Sequence, residues 1–209
     1  MKLYDCQTAP SPRRVRMFLA EKGVEVEQVE VDLSAGEQFS AEFCEINPDC
    51  VVPVLELDDG TRITEVTAIC HYLDEKFPEP PLLGTTPQQR AQSIEWNAKV
   101  EQQGLMAAAD LFRNTAKGLR GRALPGPDGY EQIPELAERG RQRVVAFLQR
   151  LDRQLQRCQF VAGGQFTIAD MTAMVLVDFA AWSRIELPAG ADALKLWYEA
   201  VSARPSARA

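Results

Sequence analysis

Asn47-Pro48-Asp49-Cys50-Val51-Val52-Pro53-Val54-Leu55, then Asp59-Gly60, then Thr64-Glu65-Val66 at the head of an apolar-periodic segment reaching Tyr72, decide how this chain folds. Pro53 stands where an apolar strand begins, and proline is tolerated there because the first strand residue can do without an amide donor. An X-Pro bond adopts the cis form at low cost, and a cis Val52–Pro53 peptide turns the preceding backbone outward. Val52 then offers its N–H and C=O beside the sheet like an unfilled strand position. Val54 to Leu57 and Arg62 to Thr64 flank Asp59-Gly60, a two-residue turn signal that predicts a hairpin. A helix starts at Glu65, and its first-turn N–H groups make an anion site.

Toward the N-terminus, Lys2 to Asp5 reads as a short strand, and Cys6 to Pro10 as a loop. Ser11-Pro12 is an N-cap and N1 pair opening a helix through Lys22, with Gly23 as its stop. Val15, Phe18 and Leu19 form the apolar stripe of that helix. Val24 to Val31 alternates valine with glutamate, apart from a slip near Gln28, and predicts a strand. Strand, helix, strand at this spacing is a βαβ unit with parallel strands. Residues 37–46 read as a second helix and 66–76 as a third. The order β-α-β-α-β-β-α is that of a thioredoxin-like fold, an α/β N-terminal domain over 1–78.

Phe77-Pro78-Glu79-Pro80-Pro81 ends that domain, and 79–87 is a linker stiffened by proline. No strand pattern follows, so 88–209 is expected to be an all-α, all-helical C-terminal domain. A long helix over 87–116 carries Ile94, Ala98, Glu101, Leu105 and Ala108 at helical spacing. Residues 118–133, with four glycines and two prolines, form a surface loop or lid. Residues 134–157 are helical with Leu136, Val144, Val145, Leu148, Leu151 and Leu155 apolar, and the arginines between Arg139 and Arg157 are a solvated face. Thr167 with Asp170 three residues on resembles a capping box, stapled by Phe166, ahead of the apolar run Met171 to Phe179. Asp170 belongs to stability there, with about 1–2 kcal/mol lost on its removal. A last helix from Leu194 is stopped by Pro205.

The net charge of −7 argues against nucleic acid as a partner. Residues 1–78 carry −9 and 79–209 carry +2, an asymmetry that fits two modules. No signal-peptide pattern opens the chain and no apolar run spans a bilayer, so no membrane association and a cytoplasmic location are expected. Cys6, Cys44, Cys50, Cys70 and Cys158 contain no CxxC pair, and His71 is the single histidine. Reduced, packed thiols are expected, with neither a metal site nor a disulfide framework.

Asn47-Pro48, Val52-Pro53-Val54-Leu55, Glu65 before Ala68 to Leu73, the Thr167–Asp170 box and Ala203-Arg204-Pro205-Ser206 together resemble the cytosolic glutathione transferases over nearly the whole chain. The resemblance implies glutathione as co-substrate, a small hydrophobic electrophile as second substrate, and a homodimer packing one subunit's first module on the other's second. It also implies that the Val52 backbone before cis-Pro53 pairs with the cysteinyl part of glutathione. Glu65 and Val66 at the helix start would hold the γ-glutamyl end, and Gln38 would stand near the glycine carboxylate. The family pattern usually has serine at Val66, so one hydroxyl bond to glutathione is missing here.

Conjugation needs a thiolate, and bringing a thiol down by ~2 pKa units from ~8.5 takes roughly 2.7 kcal/mol of differential stabilisation. In the family a tyrosine, serine or cysteine in the loop after the first strand supplies it. The slot used by serine-type members falls on Ala9, which has no donor. Ser11 is the first candidate for the catalytic hydroxyl, Thr8 the second and Cys6 the third. Arg13 and Arg14 lend positive potential or are solvated at the surface. The electrophile pocket is expected near Leu105, Met106, Ala109, Phe112 and Arg113. Two alternatives stand beside conjugation: a binding or scaffold protein that has lost the chemistry, motivated by Ala9 and Val66, and a glutathione-dependent peroxidase or isomerase.

Overall fold

The computed structural model describes residues 1–209. A four-stranded sheet of β1 (Lys2–Asp5), β2 (Glu27–Glu30), β3 (Val54–Glu56) and β4 (Arg62–Thr64) has the order β2-β1-β3-β4. β1 runs parallel to β2, with Tyr4 opposite Val29, and antiparallel to β3, with Leu3 opposite Leu55. Helices α1 (Pro10–Lys22), α2 (Ala41–Ile46) and α3 (Val66–Lys76) accompany it. This is the thioredoxin-like part. The remainder is helical: α4 (Pro87–Lys99), α5 (Met106–Arg113), α6 (Pro134–Leu155), α7 (Ile168–Trp182) and α8 (Asp192–Ser202).

Several expectations shift in detail. α1 starts two residues early, with Ala9 at the cap and Pro10 at N1, so Ser11 is N2 rather than the N-cap. Pro10 and Pro12 both fit the first turn, because none of its N–H groups has a helical acceptor. β2 is shorter than the valine alternation, because Val24 N–H turns back to Leu19 C=O (3.0 Å) around Gly23 at φ 63°. The second helix divides at Ser40, whose side chain caps α2 by accepting from Phe43 N–H; only a 3-10 turn, Glu37–Phe39, precedes it. The β3–β4 hairpin carries a three-residue loop. Leu57 N–H still reaches Thr61 C=O (2.8 Å), leaving 58–60 to turn, with Gly60 at φ 84°.

The long helix over 87–116 is interrupted by a π-helical stretch, Val100–Leu105, and ends at Arg113. Its buried residues are Ser93, Asn97, Val100, Gly104, Leu105, Ala107, Ala108 and Leu111, while Ile94 faces outward. Polar Ser93 and Asn97 point inward because Asn97 bridges the two parts: its Nδ2 donates to Thr67 Oγ1 (3.0 Å) and its Oδ1 accepts from Thr172 Oγ1 (2.6 Å). Gly104 lets α6 and α7 come close, since a Cβ there would sit 2.4 Å from Leu176 Cδ2 and 2.8 Å from Phe147 Cδ1. Residues 118–133 form a loop held at its base. Arg113 donates to the carbonyls of Ala123, Arg122 and Leu124, and Gln132 Nε2 donates to those of Arg113 and Ala116.

One continuous apolar core of 40 buried residues runs through both parts, from Leu3 and Phe18 to Leu148, Leu176 and Trp197. Polar anchors lock it. Lys22 Nζ reaches Asp74 (2.6 Å) and Pro80 C=O, while Leu82 N–H donates to the same Asp74 oxygen, pinning the proline-rich connection. The C-terminal segment is strapped onto α1, where Arg204 makes a two-nitrogen contact with Glu21 (2.7 and 2.6 Å). The capping box of α7 forms as expected. Asp170 is fully buried, and accepts from Val161 N–H, Thr167 N–H and Trp197 Nε1 (2.9–3.0 Å) as well as Thr167 Oγ1. Burial pushes its carboxyl up to about 6 against the lowering effect of these donors.

Candidate active site

The edge of β3 and the first turn of α3 form the first half of the site. The Val52–Pro53 peptide is cis. The β1–β3 ladder ends at the Tyr4–Val54 pair, two residues after Val52. Val52 lies outside every strand, is half-buried, and its N–H and C=O have no partner in the protein. Pro53 beside it is buried.

Glu65 precedes α3 with φ 65° and ψ 124°, a backbone region that a residue with a Cβ seldom occupies. Its carboxylate is exposed and makes no cap. The first helical bond of α3 runs from Ile69 N–H to Glu65 C=O, so the amides of Val66, Thr67 and Ala68 precede the ladder. Val66 itself is buried, and its valine side chain adds no polar group to that tip.

The loop between β1 and α1 forms the second half. Ala9 N–H closes a turn on Cys6 C=O (2.9 Å), leaving Thr8 exposed, its Oγ1 3.6 Å from Cys6 Sγ. Because Pro10 and Pro12 lack N–H groups, Ser11 supplies the one free amide in the tip of α1. Its Oγ accepts from Arg14 Nη2 at 3.3 Å, and Arg14 pairs with Glu101 at 2.8 Å. A hydroxyl that accepts in this way still has its own proton to donate.

Neither arginine is solvated at the surface. Arg14 is 3% exposed and its Nε has no partner. Arg13 is partly buried between Asp178 (2.5 Å) and Ala207 C=O (2.9 Å). Arg13 is held where α1 packs against α7 and the C-terminal segment, and Arg14 where α1 meets the π-helical stretch at Glu101. Cys6 is buried at the strand end, with Arg16 bonded to its carbonyl (3.4 Å) and to Asp5 (2.6 Å).

Gln38 is buried in the 3-10 turn before α2, and its Oε1 has no donor. Buried polar atoms are nearly always paired, so this oxygen stands out. Its backbone carbonyl accepts from Cys44 Sγ (3.7 Å).

The five expected pocket residues do not stay together. Leu105 joins the core, Met106 is 48% exposed, Ala109 is half-buried, and Arg113 is taken up by the 122–124 carbonyls. Phe112 lines a cavity of about 240 Å³ together with Leu111, Thr115, Ala116 and Trp182 and the polar Arg141, Ser183 and Arg184. There Phe112, Phe179 and Trp182 make edge contacts at 5.1–5.6 Å between ring centroids. Trp182 lies one helical turn beyond Asp178, the partner of Arg13, so α7 links this aromatic group to the first turn of α1. Phe179 and Trp182 escape sequence reading because α7 is apolar all round. Their spacing of three is the one available signal.

No helix is long and apolar enough to cross a membrane, and no group of three or more His, Cys, Asp or Glu side chains is placed to hold a metal ion.

Comparison with known proteins places this architecture. The profile of the glutathione S-transferase N-terminal domain matches residues 1–75, and that of the C-terminal domain matches residues 113–205. Glutathione S-transferase 2 of Saccharomyces cerevisiae is 35% identical over 211 residues, covering 100% of this chain and 88% of that protein. A glutathione S-transferase domain-containing protein of Marinobacter aquaeolei is 37% identical, with a TM-score of 0.91 and 99% of each chain covered. A glutathione S-transferase of class Gtt2 from Vibrio parahaemolyticus is 38% identical, with a TM-score of 0.84, covering 99% of this chain and 95% of that one. The chain belongs to the glutathione S-transferase family.

Proposed function

We propose that this chain ionises the thiol of glutathione and adds it to a small hydrophobic electrophile. The observation that carries this reading is the pairing of an unfilled backbone position at Val52 with the open helix tip at Glu65–Val66. A peptide laid along Val52 gains two main-chain hydrogen bonds. The α-carboxylate of the γ-glutamyl end meets the N–H groups of α3, where the helix dipole favours an anion. The exposed Glu65 carboxylate pairs with the γ-glutamyl ammonium. The side-chain NH₂ of Gln38 donates to the glycine carboxylate at the other end of the tripeptide.

Ser11 donates to the sulfur. Arg14, donating to Ser11 Oγ, withdraws charge from the hydroxyl and makes it a stronger donor toward a thiolate. The single free amide of the α1 tip and the buried guanidinium of Arg14 add to the same field. Together they have roughly 2.7 kcal/mol to supply for a ~2-unit drop from the usual ~8.5. Thr8 is the second candidate donor, exposed on the preceding turn. The electrophile occupies the side of α5 and α7 where Phe112 and Trp182 offer aromatic surface. The chain works as two modules, 1–78 and 88–209, and pairs as a homodimer, which the opposite charge balance of the modules favours.

Steady-state conjugation of an aryl halide tests the reading. Turnover that saturates in glutathione and falls on Glu65→Ala supports it. A thermal shift accompanies the assay, because a ligand at ~100 times its Kd stabilises by ~2.7 kcal/mol. Stabilisation by glutathione without turnover on any electrophile would retire conjugation in favour of a binding protein.

A further inference from the structure

We propose that Cys44 and Cys50 form a reversible dithiol–disulfide site that exchanges electrons with small disulfides such as glutathione disulfide. Their sulfurs are 3.0 Å apart, while both residues are free thiols. A disulfide bond is about 2.05 Å, so bonding asks for roughly 1 Å of approach. None of the other cysteines has a second sulfur beside it. Cys6 contacts Thr8, Cys158 contacts Gln154, and Cys70 is sealed in the core.

The pair is brought together by a separate set of bonds. Asn47, buried at the end of α2, accepts at its carbonyl from Cys50 N–H (2.9 Å), donates Nδ2 to Val51 C=O (2.8 Å), and accepts at Oδ1 from Asp49 N–H (3.1 Å). These bonds fold the chain back so that Cys50 returns onto the helix carrying Cys44. Arg62 fixes the same helix to β4 through Glu45 C=O (2.7 Å). Cys50 is held at φ 53°, a left-handed conformation that a non-glycine residue adopts only when its surroundings impose it. The turn therefore holds the two sulfurs in contact without a covalent link.

The two thiols differ in a way that assigns their roles. Cys44 is half-buried, whereas Cys50 is 4% exposed. Burial, followed by the hydrogen bond with Cys44, pushes the Cys50 thiol up to about 11, so it remains protonated; either sulfur can be the donor in their contact. Cys44 is then the thiol that meets solvent and attacks, and Cys50 resolves from inside. The Cys44 thiolate attacks one sulfur of glutathione disulfide, forms a mixed disulfide and expels one glutathione thiolate. Cys50 gives up its proton and attacks the Cys44 sulfur, expelling the second. Two cysteine thiols are oxidised to one disulfide, one glutathione disulfide is reduced to two glutathione molecules, and the two protons pass to the leaving thiolates. Excess glutathione runs the sequence backward. This exchange does not rest on the conjugation reading, because it needs neither Ser11 nor the Val52 edge.

The test uses the full chain, incubated with glutathione disulfide and separately with 2-hydroxyethyl disulfide, then denatured and alkylated. Cleavage after Glu45 separates the two cysteines, leaving them joined only by a bond between their sulfurs. The expected result with either oxidant is the loss of two alkylatable thiols of the five, a Cys44–Cys50 linked peptide, and full recovery in excess glutathione. Cys50→Ser is expected to stop at a glutathionyl group on Cys44, and Cys44→Ser to take up none at Cys50. Retention of all five thiols, a linkage through Cys6 or Cys158, or a lasting mixed disulfide on wild-type Cys44 with Cys50 still free would each overturn the proposal. The wild-type peptide map decides the question even where a serine variant folds poorly.

Discussion

Replacing Asp170 by alanine tests how the helical part is held together. An ordinary exposed cap is worth about 1–2 kcal/mol. Asp170 does more, since it is fully buried and its two oxygens receive Val161 N–H, Thr167 N–H and Trp197 Nε1. Alanine leaves all three donors buried without an acceptor. At about 1 kcal/mol or somewhat more for each orphaned group, the loss comes to roughly 3–5 kcal/mol. Asp170→Asn keeps an oxygen for Val161 and Trp197 but turns an NH₂ toward Thr167 N–H, and is expected to lose about half as much. Urea unfolding followed by far-UV circular dichroism and tryptophan fluorescence measures both, with unchanged m-values marking a pure stability effect. A loss near 1 kcal/mol for both variants would show that the box is an ordinary cap, and that the structural argument overstates it.

Ser11→Ala is expected to lower kcat/KM for conjugation about 10- to 100-fold, the worth of one hydrogen bond to a charged acceptor, and to raise the bound thiol toward ~8.5 in a pH profile. An unchanged profile, with a loss on Thr8→Ala instead, moves the donor role to Thr8. Val66→Ser is expected to lower KM for glutathione roughly 3- to 10-fold by restoring a hydroxyl at the α3 tip. Gly104→Ala is expected to destabilise by about 1–3 kcal/mol, since its methyl group collides with Leu176 and Phe147 in a packed core; unfolding midpoints report it. Burial raises the Glu21 carboxyl, but the Arg204 and Ser206 hydrogen bonds and the Arg204 charge outweigh it, and the net shift is below its ordinary value near 4.5. The folded state therefore binds fewer protons than the unfolded one across that window. The strap's contribution is complete above 4.5 and disappears as pH falls through the lowered folded value. Acid titration of stability in wild type and Glu21→Gln checks this, the variant lacking that part of the acid loss.

Most of the architecture was legible because local chemistry and global fold agree. Gly23 stops α1, Thr167 and Asp170 open α7, and the valine and leucine pattern around Pro53 marks β3. The misreadings have physical causes. Pro10 and Pro12 both suit a first helical turn, which leaves the start of α1 ambiguous by two residues. Periodicity counts apolar side chains and so selects Ile94, which is exposed, whereas Ser93 and Asn97 turn inward, Asn97 to hydrogen-bond partners on two other helices. Hydrophobicity also cannot separate a pocket wall from a core, so Leu105 fell into the interior while Trp182 came to the cavity. The Cys44–Cys50 pair was invisible because its spacing is no known motif, and only the Asn47 turn brings the sulfurs together. The cis Val52–Pro53 peptide and the unpaired Val52 backbone were legible because they concern main chain, which depends little on the side chain.

Glutathione recognition through that backbone is the central claim, and a ¹H–¹⁵N amide titration of the assigned protein with glutathione tests it most directly. The account predicts saturable shifts largest at the Val52 and Val66 amides, with Ser11 following and the α6 surface unmoved. Saturable binding that leaves both amides in place, or no shift at millimolar glutathione, would contradict it.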